Sequence, residues 1–136
     1  KIAWIHKDTV LERDWGKLSL YIGSKKTDDN ENALCVLFQP QNCDILITGD
    51  RSLSGERALL EKVDLPKLEL LVAGHHGAKT STGLELLSVT QPKLVAISVG
   101  ANNSYGHPST DVLERLELFG CQIVRTDENG TIIYKG

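Results

Sequence analysis

The chain has 136 residues, of which 40% are apolar and 24% are charged, and its formal net charge at pH 7 is −3. This length and composition are typical of one globular domain that buries a core without disulfides. The acidic balance gives no electrostatic sign of tight binding to nucleic acids, which usually needs a basic face. Action on a nucleic acid would have to use a metal or a local patch, of which Lys62, Lys67 and Lys79 could form part. We therefore expect residues 1–136 to form a single domain. No run of about 18 apolar residues occurs, so no membrane-spanning helix is predicted.

The first third of the chain predicts mainly strands. Residues 8–16 and 23–32 are polar, which indicates loops. The Pro-Gln-Asn sequence at 40–42 separates two apolar runs and predicts a hairpin. Four apolar runs are expected to be strands: residues 2–5, 18–22, 33–39 and 43–48.

The rest of the chain alternates helices and strands. The spacing of apolar residues, together with Pro and Gly at the ends, predicts helices at residues 55–63, 84–89 and 108–119. Four further strands are expected at residues 68–73, 94–99, 122–126 and 131–134, the last two as a hairpin around an Asn-Gly turn. This order predicts an α/β fold with helices packed on a mixed β-sheet.

Three of the expected strands end in residues that bind metals or phosphates. In open α/β sheets, ligands lie outside the carboxyl ends of the strands. If these strands are neighbours, Asp50, one of the adjacent histidines and His107 lie close together. Carboxylate oxygen and imidazole nitrogen are ligands of Zn²⁺ and Mn²⁺. The three polar ends are Gly49-Asp50, Gly74-His75-His76-Gly77 and the loop that holds Asn102, Asn103, Tyr105 and His107.

Each candidate ligand also has a simpler interpretation. Asp50 could belong to a turn that precedes a helix cap at Ser52 or Ser54. Because His75 and His76 are adjacent, extended geometry predicts that they point to opposite sides, one as a ligand and the other in packing or hydrogen bonding. The sequence leaves open which of the two is the ligand.

The loop before the third helix is a candidate substrate site. His107 precedes a proline, which favours extended geometry, and a helix N-terminus, which attracts anions. The loop could bind a phosphate, or it could simply be a well-capped loop. Lys79 follows the histidine pair and could contact an anionic substrate or solvent. The predicted substrate-binding residues are Asn102, Asn103, Tyr105, His107 and Lys79.

These motifs together resemble the ComEC/Rec2 family, specifically the carboxyl-terminal part of its metallo-β-lactamase-like domain. The likeness rests on Thr48-Gly49-Asp50, on residues 71–81 and on residues 97–108, and it extends from about Ala33 to the end of the chain. It implies a partial metallo-β-lactamase-like fold. It also implies a metal-dependent nuclease domain in a membrane channel for DNA uptake during competence.

The resemblance assigns roles to particular residues. Asp50 is similar to the metal-binding carboxylate of the family, and His75 to its late metal-binding histidine, with His76 as the alternative. His107 is expected to face the same cleft, so Asp50, His75 and His107 are the implied catalytic residues. Zn²⁺ or Mn²⁺ would lower the pKa of a bound water, which attacks phosphorus in line.

The resemblance also implies a setting. DNA is the expected substrate, and the other domains of a parent membrane channel are the expected partners. The domain is expected to be a soluble part of a bacterial cell-membrane protein on the extracytoplasmic face. Exposed strand edges predict possible self-association.

One family motif is absent. The HxHxDH sequence that begins the family's metal site does not occur in this chain. We expect a chain that lacks the N-terminal part of its domain and has little activity alone; the alternative is a degenerate site. Two other functions stay open: hydrolysis of a small ester or lactone by the same fold, and a non-catalytic interaction module.

Overall fold

The chain forms a seven-stranded mixed β-sheet with helices packed against it. The structure is a computed structural model that describes residues 4–23 and 30–135. Within these residues the strands follow chain order across the sheet. The strands are β1 (Thr9–Arg13), β2 (Gly16–Tyr21), β3 (Cys35–Pro40), β4 (Ile45–Ile47), β5 (Leu70–Val72), β6 (Leu94–Ile97) and β7 (Gln122–Arg125). The α-helices are α1 (Leu53–Lys62), α2 (Leu84–Thr90), α3 (Thr110–Leu118) and α4 (Thr126–Asn129).

The sheet has an antiparallel half and a parallel half. Strands β1 to β4 pair antiparallel in chain order, and the predicted hairpin between β3 and β4 is confirmed. Strands β4 to β7 pair parallel, each pair joined through a helix, with Ile45 opposite Leu70 and Leu70 opposite Leu94. The prediction of an α/β fold with a mixed sheet is confirmed. The carboxyl ends of β4, β5 and β6 consequently lie side by side.

The helices α1, α2 and α3 bury one face of the sheet. Helix α1 begins after Ser52, whose hydroxyl accepts from the Ser54 N–H, and α3 begins after Ser109, whose hydroxyl accepts from the Val112 N–H. None of the helices within residues 4–23 and 30–135 has the length and apolarity needed to cross a membrane. The largest buried apolar side chains are Leu46, Leu59, Leu68, Leu71, Leu86, Leu87, Ile97, Leu116, Val95 and Val112.

The two ends of the chain differ from the prediction. Residues 9–13 were predicted as loop but form β1, because their backbone pairs with β2 although four of the five residues are exposed. Residues 4 and 5 are not in a strand, and the other residues of that predicted strand lie outside the described residues. In the predicted polar loop, residues 30–32 form a 3₁₀ turn and residues 24–29 lie outside the described part.

The predicted hairpin at the carboxyl end is wrong. Helix α4 follows β7 directly, and residues 131–134 form no strand. The Thr126 hydroxyl explains the change of direction, because it accepts from the Val99 N–H at 2.7 Å and donates to the Val99 carbonyl at 2.7 Å. These bonds tie the start of α4 to the residue that follows β6 by two positions.

Candidate functional site

The ends of β4 and β5 are joined directly through their backbones. The His75 N–H donates to the Gly49 carbonyl at 3.0 Å, which places the histidine pair beside the residue that precedes Asp50. Gly74 lies so close to β4 that a Cβ on it would be 2.9 Å from the Thr48 Oγ1 and 3.3 Å from the Gly49 carbonyl. A glycine at position 74 therefore permits the contact between the two strand ends. Asp50 itself is exposed at this edge.

The histidine pair has a different backbone from the one predicted. His75 and His76 have φ values of 47° and 55°, in the left-handed region rather than the extended one. The extended geometry predicted for this pair is therefore wrong. The residues turn tightly away from β5, a conformation that is uncommon for residues other than glycine.

His76 is oriented by the neighbouring strand. Its Nδ1 lies 2.7 Å from the carbonyl of Ser98, the residue directly after β6. If Nδ1 carries the proton, the ring donates to this carbonyl and Nε2 is available to a ligand. Metal-binding histidines are commonly oriented in this way. His75, by contrast, is half-buried, while His76 is exposed.

Asn103 organises the loop that carries His107. Its side-chain amide donates to the carbonyls of Gly100 at 3.1 Å and His107 at 2.6 Å. Its Oδ1 accepts from the N–H groups of Tyr105 at 3.1 Å and His107 at 3.0 Å. These four bonds use the two donors and two lone pairs of the amide. The geometry thus gives Asn103 an indirect role, and its predicted contact with substrate stays a prediction.

The structure brings His107 to His75. The two rings lie 5.9 Å apart between centroids at an interplanar angle of 67°. Tyr105, which is 80% exposed, stacks on His107, with the ring centroids 6.0 Å apart. The His107 Nδ1 is buried and has no hydrogen-bond partner among the described residues. A buried nitrogen without a partner is costly, which indicates a position for a ligand or solvent.

Two contacts hold the His107 loop against the histidine pair. The Ser109 N–H donates to the Gly77 carbonyl at 2.9 Å. Gly77 has a φ of 79°, and a Cβ on it would lie only 2.7 Å from the Cβ of Pro108. Gly77 therefore needs to be glycine both for its backbone conformation and for the close approach of the two loops.

The described residues supply at most part of a metal site. No group of three or more His, Cys, Asp or Glu side chains in residues 4–23 and 30–135 is arranged to hold a metal ion. Catalytic zinc sites use three protein ligands as a rule. Asp50, His75 and His76 stay predicted ligands, and by themselves they do not fit a complete site.

Sequence reasoning missed two residues that support the segment after the histidine pair. The carboxylate of Glu56, on α1, accepts from the N–H groups of Thr82 and Gly83, and the guanidinium of Arg115, on α3, donates to backbone carbonyls of the same segment. A signal was present in the helical spacing. Glu56 stands three residues before the buried Leu59, and Arg115 stands next to the buried Leu116, so both charged residues border apolar faces.

Comparison with known proteins identifies relatives, although no protein-family model matches the chain. The chain is 38% identical over 106 residues to ComE operon protein 3 of Bacillus subtilis, and this match covers 78% of the chain and 14% of that protein. It is 32% identical over 109 residues to competence protein ComA of Neisseria gonorrhoeae, covering 79% of this chain and 16% of that protein.

A third relative has a similar identity and covers a similar share of the chain. Recombination protein 2 of Haemophilus influenzae is 33% identical over 104 residues, which cover 76% of this chain and 13% of that protein. The matched part of the chain thus spans only about one seventh of the length of these relatives. Over that part, the chain belongs to the ComEC/Rec2 family of competence proteins.

Proposed function

We propose that this chain contributes one side of a metal-dependent hydrolase site in a competence DNA-uptake protein, with DNA as the substrate. The observation that carries the proposal is the meeting of His75 and His107 beside the Gly49-Asp50 strand end, with rings 5.9 Å apart. Membership of a family of competence proteins supports a role in DNA handling. A partial metallo-β-lactamase-like fold belongs to the same proposal, and the mixed sheet with helices packed on it is compatible with it.

The metal ligands we propose are Asp50 and His75, with His76 as the alternative to His75. Zn²⁺ and Mn²⁺ suit this mixture of oxygen and nitrogen donors. We propose that the remaining ligands come from outside residues 4–23 and 30–135, within which no group of three such side chains is arranged to hold a metal ion. His107, whose ring lies 5.9 Å from that of His75, acts beside these ligands as the third catalytic residue.

The substrate lies on the side of the site formed by the His107 loop. Tyr105 exposes most of its ring next to His107 and offers a stacking surface to a nucleobase. Lys79 and Asn102 are exposed and offer donors to a phosphate. Asn103 holds this loop in shape through its four hydrogen bonds, and its predicted contact with DNA remains part of the proposal.

The setting we propose is the extracytoplasmic face of a bacterial membrane, with the other parts of a DNA channel as partners. Self-association through the exposed edge strand β1 is a further proposal. An acidic chain of this kind needs bound cations or partner surfaces to bring DNA close, because its own net charge repels phosphates.

The test uses the full-length gene product that contains this chain. Cleavage of single- and double-stranded DNA is measured with Mn²⁺ or Zn²⁺, and Mn²⁺ binding is measured by titration. We expect Asp50→Ala, His75→Ala and His107→Ala each to lower kcat by at least about 100-fold, the scale on which single acid–base groups act. Asp14→Ala, which removes an exposed carboxylate from the turn between β1 and β2, should leave cleavage unchanged.

The outcomes separate the alternatives. Cleavage of small esters or lactones but not of DNA would replace the nuclease by a hydrolase of another substrate class. A full-length product that binds neither Mn²⁺ nor Zn²⁺ would support a non-catalytic interaction module. Equal losses in Asp50→Ala and Asp14→Ala would contradict the assignment of Asp50.

A further inference from the structure

Thr82 has a backbone conformation that needs explanation. Its φ is 52°, in the left-handed region, and its side chain is fully buried. A β-branched residue in this region is strained, because its branched side chain crowds the adjacent backbone. Such residues persist where the surrounding structure holds them, and they concentrate at functional sites. The contacts of Thr82 therefore indicate which arrangement of the surrounding segment its strained backbone maintains.

Glu56 holds Thr82 from helix α1. One carboxylate oxygen accepts from the Thr82 N–H at 2.6 Å and the other accepts from the Gly83 N–H at 2.8 Å. Glu56 is only 2% exposed. A buried carboxylate is costly unless hydrogen bonds satisfy it, and a leucine could pack on α1 without that cost. The carboxylate is thus suited to holding two consecutive N–H groups.

Arg115 holds the same loop from helix α3. Its Nη1 atom donates to the carbonyls of Ser81 and Thr82, both at 3.1 Å, and its Nη2 atom donates to the carbonyl of Lys79 at 2.9 Å. The planar fork of a guanidinium can reach several carbonyls at fixed positions, whereas a lysine ammonium cannot. Two charged groups from two helices therefore fix residues 79–83, which we call the 79–83 loop.

The 79–83 loop in turn holds the residue before the histidine pair. The Gly74 N–H donates to the Thr82 hydroxyl at 3.1 Å, and the Ser81 hydroxyl donates to the Gly74 carbonyl at 2.7 Å. Both polar groups of the Gly74 backbone unit are thus bound by this loop. Gly74 lies between the end of β5 and His75. The orientation of the Gly74 backbone therefore determines the position of His75.

We propose that Glu56 and Arg115 are positioning residues that fix His75 against His107 through Thr82, Ser81 and Gly74. The inference rests on the proposed function for the role of His75. The positional coupling itself can be measured without metal or DNA. Glu56, on helix α1, and Arg115, on helix α3, thus have a role that helix packing alone does not require.

The first experiment compares Glu56→Gln with Glu61→Gln, which changes an exposed carboxylate near the end of the same helix. Glutamine keeps the volume of Glu56 but turns one acceptor into a donor that faces a backbone N–H. Amide hydrogen exchange is measured by NMR on the 136-residue chain. We expect exchange at Thr82 and Gly83 to rise roughly tenfold to hundredfold, as loss of a hydrogen bond to a charged group predicts.

The diagnostic readout is at the histidines. In Glu56→Gln we expect faster exchange at Gly74 and His75 and a weaker nuclear Overhauser contact between the rings of His75 and His107. The Glu61→Gln variant should match the wild type. The variant Leu37→Val serves as a destabilised control, because this buried residue of β3 lies opposite Ser19 and Leu46 in the sheet and makes none of the hydrogen bonds described above. It should raise exchange across the sheet without weakening the contact between the two rings.

A second variant keeps the test decisive if Glu56→Gln does not fold. Arg115→Lys retains the charge but loses the fork, and Arg57→Lys on exposed α1 surface is its control. We expect Arg115→Lys to give the same exchange pattern and ring separation. Changes confined to the 79–83 loop, with Gly74 and His75 as in the wild type, would overturn the proposal. An increase in amide exchange at Gly74 that is no larger than the increase at the core residue Leu71 would also overturn the proposal.

Metal binding is read separately. Mn²⁺ titration of the full-length gene product tests the proposed function, and NMR exchange tests the positioning. If Mn²⁺ does not bind the wild type but the exchange pattern holds, the proposed function fails and the positioning role stands. If Mn²⁺ binds with equal affinity to wild type and Glu56→Gln while the rings stay in contact, the positioning role fails and the proposed function stands.

Discussion

The two halves of the sheet use their connections differently. In the antiparallel half, β1 and β2 are joined by a short turn, and four of the five residues of β1 are exposed. In the parallel half, the segments that follow β4, β5 and β6 are bound to one another by backbone and side-chain hydrogen bonds. The turn between β1 and β2 reverses the chain, whereas the parallel connections build the candidate site.

The two halves differ in the contacts that fix the backbone of the connections between their strands. A hairpin fixes its own backbone through the strand ladder, so its turn needs little support. The carboxyl ends of parallel strands leave backbone groups without ladder partners, and here buried side chains such as Glu56 and Thr82 satisfy them. Functional loops are positioned by a rigid scaffold in the same way in many proteins.

The largest expected contrast is between a leucine of the parallel half and a leucine of the antiparallel half. Leu71, in β5, is fully buried, whereas Leu11, in β1, is 39% exposed. We expect Leu71→Ala to lower the free energy of unfolding by about 2–5 kcal/mol, because it removes buried methyl groups and leaves a cavity. Leu11→Ala should change it by about 0.5 kcal/mol or less. Urea unfolding at constant pH measures both.

The slopes of the same unfolding curves add a check. If the sheet unfolds as one unit, both variants keep the slope of the wild type and only the midpoint moves. A loss in Leu11→Ala as large as that in Leu71→Ala would show that β1 packs as tightly as the parallel strands. The comparison between the halves would then be wrong.

A smaller contrast is expected between two glycines at the site. Gly77 and Gly106 both have positive φ values, but only Gly77 has a neighbour in the way: a Cβ there would meet Pro108 at 2.7 Å, and a Cβ at Gly106 would meet no atom within 4 Å. Gly106→Ala should cost roughly 1–2 kcal/mol of stability for the left-handed backbone alone. Gly77→Ala should cost about 1–3 kcal/mol more, because it overpacks the contact between the two loops.

The glycine pair also tests the geometry of the site. We expect Gly77→Ala to separate the His75 and His107 rings, seen as loss of their nuclear Overhauser contact, while Gly106→Ala keeps it. Equal stability losses in the two variants would show that the loops yield easily at Pro108. The close approach of the loops would then not define the site.

The sequence predicted the parallel half well because the physical signals there are strong. Continuous apolar runs at 68–73 and 94–99 are typical of buried strands, and polar residues after them indicated the carboxyl edge. The neighbourhood of His75 and His107 was expected on the condition that their strands are adjacent, and the structure shows adjacent strands and brings the two rings together.

The sequence failed where tertiary contacts override local pattern. Strand β1 is an exposed edge whose mostly polar residues resemble a loop, and only pairing with β2 makes it a strand. At the carboxyl end, the hydrogen bonds of Thr126 to Val99 replace the hairpin that the Asn-Gly pair indicated. The left-handed backbone of His75 is held by the bond from its N–H to the Gly49 carbonyl, 26 positions earlier, and by the bonds of the 79–83 loop to Gly74, and neither contact is visible in the local apolar pattern.

The smallest expected effect concerns the opposite, amino-terminal edge of the parallel strands. There the Glu69 carboxylate accepts from the Asp44 N–H at 2.9 Å and from the Lys93 ammonium at 3.2 Å. The backbone hydrogen bond from Asp44, with the Lys93 contact, lowers the pKa of Glu69 from its ordinary value of 4.5. This edge is thus held by a partly exposed charge, unlike the carboxyl edge, where Glu56 is buried.

The direction of the pH dependence follows from the lowered pKa. The contribution of Glu69 is fully present above pH 4.5 and is lost as the pH falls through the lowered pKa of the folded state. Glu69→Gln should therefore be less stable than the wild type at neutral pH, and the difference should shrink below about pH 4. Urea midpoints between pH 3 and pH 7 measure this, with the exposed Glu117→Gln as control. A difference that stays constant across this range would mean that Glu69 acts through its shape and hydrogen bonds rather than its charge.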